Sequence, residues 1–238
     1  MNIALSGYGK MGHEVEKAAA GRGHTIVVKL DNASDWDKYK DEVRQADVVI
    51  DFSQPDVVVE VIKRCFNWQV PVVTGTTGWY DDLEEITALC REKNGSLFYA
   101  PNFSIGVNIL FKVNEALAAL MNRAEGYTVK VKETHHIHKL DKPSGTAISI
   151  AEGIIRNMDD LTGWVNKKTN KPGELPVLSK RKGEVTGTHT IIYNSEVDKI
   201  VLKHKAKNRA GFALGALVAA DFVKDKKGVY TMDDLLNY

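Results

Sequence analysis

Asn2-Ile3-Ala4-Leu5-Ser6-Gly7-Tyr8-Gly9-Lys10-Met11-Gly12 opens the chain with a short apolar run and a glycine turn, and His13 to Ala20 follows with helical composition. In the spacing Gly-x-Gly-x-x-Gly each glycine has a physical use. The first permits a tight turn, the second lets a pyrophosphate approach the backbone, and the third lets the helix pack closely on the strand. Thr25 to Leu30 reads as a second strand ending at Asp31, about twenty positions beyond the turn. An acid at that strand end is placed to accept hydrogen bonds from an adenosine ribose. Glycine turns also serve packing alone, but flanking strands together with Asp31 favour a dinucleotide.

Working outward, Asp47 to Phe52 is a third strand, and Ser53-Gln54-Pro55-Asp56 opens a helix that reaches about Asn67. Pro in the first turn and an acid against the positive helix end both suit such a start. Val70 to Thr74 is a fourth strand leading into Gly75-Thr76-Thr77-Gly78. Tyr80 to Lys93 is a helix, and Ser96 to Ala100 a fifth strand. Asn32 to Arg44 reads as a brief helix or turn. Strands alternating with helices imply a parallel sheet whose carboxyl ends share one edge, where ligands bind. The chain brings Gly7 to Gly12, Asp31, Phe52-Ser53, Gly75 to Gly78 and Pro101-Asn102-Phe103 to that edge.

Beyond a helix from Ser104 to Arg123 the pattern changes. Tyr127 to Thr134, Thr186 to Tyr193 and Lys199 to Lys207 alternate apolar and charged residues, as half-exposed antiparallel strands do. Ser144 to Met158 reads as a helix, and Asp159 to Gly183 as a polar stretch with no clear period. Ala210 to Lys224 is helical again and, with Tyr230 to Leu236, returns to the first domain. The expected fold class is therefore α/β: a Rossmann-like parallel sheet domain, residues 1–103 plus 209–238, and an inserted α+β domain with a mixed or antiparallel sheet, residues 104–208.

Lys and Arg number 32 against 31 Asp and Glu in 238 residues, which gives no reason to expect nucleic acid as a partner. Cys65 and Cys90 lie in apolar helical patterns without CxxC spacing, so buried reduced thiols are expected. Met1 to Gly12 lacks the layout of a signal peptide, and no apolar run reaches membrane-spanning length. A cytoplasmic protein with no membrane partner is the expectation.

The chemistry concentrates in Glu133-Thr134-His135-His136-Ile137-His138-Lys139-Leu140-Asp141-Lys142-Pro143-Ser144-Gly145-Thr146-Ala147. Three imidazoles and a lysine precede a helix start whose free amides and positive dipole end favour a carboxylate or phosphate. Histidine exchanges protons near neutral pH and lysine supplies a cation or a second acid. A small anionic substrate, bound and protonated here, is the working expectation. Strand alternation puts His135 on one side and His136 and His138 on the other, which also suits a solvated strand end. His-x-His can ligate a metal, but a third ligand at matching spacing is not visible and Cys is absent nearby, so no metal is expected.

A dinucleotide domain followed by a sheet domain with this motif describes a reductase. Hydride leaves a nicotinamide, and His135 or Lys139 delivers the proton, a contribution of about two to four orders of magnitude in rate. Lys139, His136, and the amides and hydroxyl of Gly145 and Thr146 would hold substrate carboxylates. Two other readings remain open: a non-catalytic dinucleotide-sensing protein, and a different NAD(P)-dependent reductase of a carboxylated substrate.

The segment Glu133 to Ala147 closely resembles the signature of the 4-hydroxy-tetrahydrodipicolinate reductase (dihydrodipicolinate reductase) family of lysine and diaminopimelate biosynthesis. Gly7 to Gly12, Asp51-Phe52-Ser53, Gly75 to Gly78 and Ala100 to Asn108 are similar to further family segments in the same order. The resemblance implies reduction of 4-hydroxy-tetrahydrodipicolinate by NADH or NADPH, with loss of water, to tetrahydrodipicolinate. It implies His135 as proton donor, Lys139 as second catalytic residue, and His136, Lys139, Ser144, Gly145 and Thr146 around the dicarboxylate. Gly7, Tyr8, Gly9, Lys10, Met11, Gly12, Asp31, Phe52, Gly75, Thr76, Thr77, Ala100, Pro101, Asn102 and Phe103 would hold the cofactor. A homotetramer built through the sheet domain, which would bind substrate and oligomerise, is implied as well. Many members carry a basic residue directly after the ribose-binding acid, where this chain has Asn32; Lys10 is the cation left to meet a 2′-phosphate.

Overall fold

Strand β1 (Asn2–Ser6) leads into α1 (Lys10–Ala20), followed by β2 (Thr25–Leu30), α2 (Ala33–Lys38), α3 (Lys40–Arg44) and β3 (Val48–Asp51) in a computed structural model that describes residues 1–237. Then come α4 (Pro55–Trp68), β4 (Val72–Thr74), a single 3-10 turn at Tyr80–Asp82, α5 (Leu83–Glu92) and β5 (Ser96–Tyr99). The next stretch holds α6 (Ile105–Met121), β6 (Thr128–His135), α7 (Gly145–Ile155), β7 (Gly163–Val165), β8 (Glu174–Arg181), β9 (Gly187–Asn194) and β10 (Lys199–Ala206). Last are α8 (Ala210–Val223), β11 (Gly228–Tyr230) and α9 (Met232–Leu236). Two compact units result, Met1–Ser104 with the segment from Arg209 onward, and Ile105–Asn208.

The first unit is a six-stranded sheet in the order β11-β5-β4-β3-β1-β2, parallel throughout. β3 and β4 are buried along their whole length, as strands covered by helices on both faces must be. Val49, Val72 and Leu97 from the sheet pack with Val58, Ile62 and Phe66 of α4 and with Trp79. The sixth strand, β11, was not expected; three residues beside a Lys-rich turn show no period, and only pairing with β5 makes them a strand. Asn32 to Arg44 resolves into two short helices. Asn32 caps α2 by accepting from the Ser34 and Asp35 amides while Asp35 reaches back to the Asn32 amide.

In this strand order β2 lies on one side of β1 and β3 on the other, so the switch point falls between the ends of β1 and β3. Asp51, fully buried at the end of β3, ties that edge together. It accepts from the hydroxyls of Ser6 at 2.7 Å, Thr74 at 2.8 Å and Thr76 at 2.8 Å. The buried carboxylate thus joins the ends of three adjacent strands.

The second unit holds a five-stranded sheet, β10-β9-β6-β8-β7. It is mixed: β6 pairs antiparallel with β9 and parallel with β8, and β7 is parallel to β8. The polar stretch from Asp159 to Gly183, in which the sequence shows no clear period, holds two strands that were not expected, β7 and β8. The signal was weak for a physical reason. β7 is too short to show a period, and β8 carries Pro176, which cannot donate to a sheet ladder. Val131, Val177 and Ile191 of the three central strands pack against Leu110 and Ala118 of α6 and Ile150 and Ile154 of α7. Each buried isoleucine stabilises the fold by about 1.5–3 kcal/mol. α6 starts at Ile105 and ends at Met121, slightly inside the expected Ser104 to Arg123.

Candidate active site

Along β6 the residues Val131, Glu133 and His135 are buried on one face, so the apolar core gives way to a carboxylate and an imidazole toward the strand's end. Register fills in their neighbours. His135 stands opposite Arg181 of β8, and Glu133 opposite His189 of β9. Glu133 has no exposed side-chain surface; its Oε2 lies 3.1 Å from His135 Nδ1 and 3.9 Å from His189 Nε2. Its Oε1 accepts from the Ser144 amide at 3.1 Å and from the Arg181 guanidinium at 3.3 Å. Burial pushes the Glu133 carboxyl pKa up, but the contacts with His135 and Ser144 outweigh it and hold the group well below the usual carboxylate range. The carboxylate is ionised at neutral pH.

Ser144 caps α7, accepting from the Ala147 amide at 3.2 Å, and its hydroxyl lies 3.3 Å from His189 Nε2. Gly145 and Thr146 are the first residues of that helix, whose leading N–H groups point out of the helix start. Arg181 also donates to the carbonyls of Lys139, at 3.2 Å, and Asp141, which pins the turn carrying Lys139. The Lys139 ammonium pairs with Asp141 at 2.7 Å. His136 is half-buried beyond the end of β6, its ring 5.9 Å from that of His138, while exposed His138 pairs with Glu184 at 3.0 Å. His189 is pushed down to about 4 by burial first and by the neighbouring His135 second, so it is neutral at neutral pH.

The sequence showed Glu133, His135, Lys139 and Ser144 in one segment but missed Arg181 and His189, over forty positions further on. The alternation of β9 could have marked His189 as inward-facing; nothing local pointed to Arg181. His136 and His138 belong to no group of three metal-ligand side chains among the described residues, but another such group stands beside them. Glu133, His135 and His189 offer ligand atoms within 4.8 Å of one another. Glu133 is already engaged there by a guanidinium and an amide, a donor set suited to a carboxylate rather than to a bound cation.

In the first unit the glycine turn sits at the switch point. Gly7 has φ of 79°, and a Cβ there would stand 2.4 Å from the Phe52 carbonyl oxygen, so no other residue fits between the two loops. Gly7, Gly9, Asp31 and Phe52 line a cavity of about 270 Å³, together with Trp36 and Arg64, which the sequence did not single out. Gly9 has open space where a Cβ would be, and the Ser53 hydroxyl is buried there without a partner. These features fit a dinucleotide. Asp31 accepts from the Tyr8 amide at 3.1 Å, and the Tyr8 ring packs under Lys29. Lys10, Met11 and Gly12 form the first turn of α1, outside the cavity wall. Gly75, Thr76 and Thr77 follow β4, and Ala100, Pro101, Asn102 and Phe103 follow β5, on the same sheet edge. Thr76 turns inward to Asp51, and the Phe103 ring lies 6.0 Å from Phe52.

A parallel sheet with a glycine turn at its switch point, in a chain that also carries an imidazole, a guanidinium and a lysine about a helix start, defines a dinucleotide-dependent oxidoreductase. Two family models account for nearly the whole chain: dihydrodipicolinate reductase, N-terminus, over residues 1–103, and dihydrodipicolinate reductase, C-terminus, over residues 106–236. The chain belongs to the dihydrodipicolinate reductase family. The 4-hydroxy-tetrahydrodipicolinate reductase of Christiangramia forsetii is 46% identical over 237 residues, covering 100% of this chain and 98% of its own. That of Neisseria meningitidis is 35% identical, covering 81% of this chain and 73% of its own. Dipicolinate-bound dihydrodipicolinate reductase from Paenisporosarcina sp. TG-14 has the same fold, with a TM-score of 0.79, 25% identity and 97% coverage of each chain.

Proposed function

We infer that this protein reduces 4-hydroxy-tetrahydrodipicolinate to tetrahydrodipicolinate with NADH or NADPH, in lysine and diaminopimelate biosynthesis. The observation that carries this reading is the buried Glu133–His135 pair set beside the start of α7, with Arg181 and Lys139 adjoining. The dinucleotide, when bound, supplies the hydride. Gly7 to Gly12 hold its pyrophosphate, Asp31 its ribose, and Phe52, Gly75 to Thr77 and Ala100 to Phe103 the remainder of the edge. His135 delivers the proton that balances the hydride as water leaves. Lys139 is the second catalytic residue, and His136, Lys139, Ser144, Gly145 and Thr146 grip the two carboxylates. The Lys139–Asp141 pair is no obstacle: Asp141 is 54% exposed, and such a pair is worth about 0–1 kcal/mol, readily exchanged for a substrate carboxylate.

The first unit is the dinucleotide domain and the second the substrate-binding and oligomerisation domain of a cytoplasmic homotetramer. Supporting the assembly, Ile200 and Val201 of β10 are 38% and 51% exposed, as is Val197 at 90% in the preceding turn. Among the described residues no helix is long and apolar enough to cross a membrane. His135→Gln and Lys139→Ala test the site. Each lowers turnover by about two or more orders of magnitude while NADH affinity, read by fluorescence titration, stays nearly unchanged. Two variants that both reduce the dicarboxylate at the normal rate would remove the acid chemistry from this loop and leave a dinucleotide-sensing role.

A further inference from the structure

Glu133 has no part in the chemistry described above, yet it is the most enclosed charge in the second unit. Its side chain is fully buried, and four groups converge on it from β6, β8, β9 and the start of α7. An ionised carboxylate only accepts hydrogen bonds. Oε2 faces His135 Nδ1 at 3.1 Å, close but off the line of a well-aligned hydrogen bond, and neither atom has another hydrogen-bond partner, so the contact favours a hydrogen on that nitrogen. The other ring nitrogen, Nε2, lies against Gly187 of β9, where a Cβ would stand 3.1 Å away. A residue without a side chain at 187 keeps that edge of the ring clear. Nδ1 is thus turned toward the carboxylate, and Nε2 is the nitrogen left to exchange a proton.

We propose that Glu133 is a positioning residue: it keeps the ring hydrogen of His135 on Nδ1, so that Nε2 is the nitrogen that takes up a proton and passes it to the substrate, and it couples the ring to α7 through the Ser144 amide. This rests on His135 being the proton donor. The geometry separates the role from simple support of the fold. One oxygen holds the helix start and Arg181, while the other lies toward the two imidazoles and governs which nitrogen carries hydrogen. Carboxylate–imidazole pairs set tautomer and ring orientation in the same way in catalytic triads.

The test uses the full-length protein labelled with ¹⁵N-histidine. Long-range ¹H–¹⁵N spectra at pH 8, with His135 assigned by loss of its signals in His135→Gln, read the tautomer directly. Wild type should show His135 as Nδ1–H. Glu133→Gln should shift it toward Nε2–H and lower kcat by about a hundredfold, at the low end of what a positioned acid supplies, with NADH affinity kept within about twofold. Glu133→Asp, which keeps the charge, should restore the Nδ1–H form and part of kcat. A wild-type His135 in the Nε2–H form refutes the proposal with no variant needed. So does an unchanged tautomer in Glu133→Gln. Should the enzyme fail to reduce the dicarboxylate at all, the functional reading falls while the spectra still decide the Glu133–His135 relation.

Discussion

Acid should loosen the second unit by way of His189. Its ring is 5% exposed and faces His135, Glu133, His204 across the β9–β10 pair, and Lys139. Burial foremost, then the neighbouring His135, lowers its pKa from 6.5 to about 4 in the folded chain, against the opposing pull of Glu133. Between those values the unfolded chain binds a proton that the folded one refuses. Stability from this group is therefore complete above pH 6.5 and is lost as pH falls toward 4. A difference of about 2.5 pKa units at 1.36 kcal/mol per unit amounts to about 3 kcal/mol below pH 4, of which about 2 kcal/mol is gone by pH 5. Urea denaturation of wild type and His189→Gln at pH 8 and pH 5 isolates the effect. The variant loses the Ser144 contact and starts about 1 kcal/mol less stable, but it has no imidazole to protonate. Wild type should lose about 2 kcal/mol more than the variant between the two pH values. Equal losses, within about 0.5 kcal/mol, would show that His189 is not held neutral by its surroundings and refute the reasoning.

Two further outcomes are expected. NADH should bind more tightly than NADPH by about tenfold, since one like-charge contact of about 1.4 kcal/mol suffices for that ratio. Asp31 and Glu60 line the cavity beside the glycine turn, and Arg64, the one cation among its described lining residues, is already paired with Asp37 at 3.0 Å and Glu60 at 2.9 Å. Calorimetric titration checks this, with Asn32→Arg expected to narrow the gap; an NADPH preference in the wild type would overturn it. The mass in solution, by light scattering, should be that of four chains. Val201→Lys, on the exposed β10 strand, should shift it downward, and a monomeric wild type would remove the assembly from the reading.

The first sheet was legible in the chain because its signals are local. A strand, a glycine turn and a helix lie within twenty residues, and each further strand through β5 is a short, largely apolar run, so that the parallel sheet and its ligand edge follow from order alone. Glu133, His135 and Ser144 were visible for the same reason, being joined by a short stretch of chain. Local pattern could not supply β8, whose Pro176 and polar flanks blur any period, or β11, which is a strand only because β5 offers it partners. Nor could it bring Arg181 and His189 to Glu133. Strand register does that, setting His135 opposite Arg181 and Glu133 opposite His189. Charge partners in a buried site are chosen by which strands lie side by side. A linear pattern can announce that a carboxylate points inward, but what meets it there depends on pairings made across the sheet.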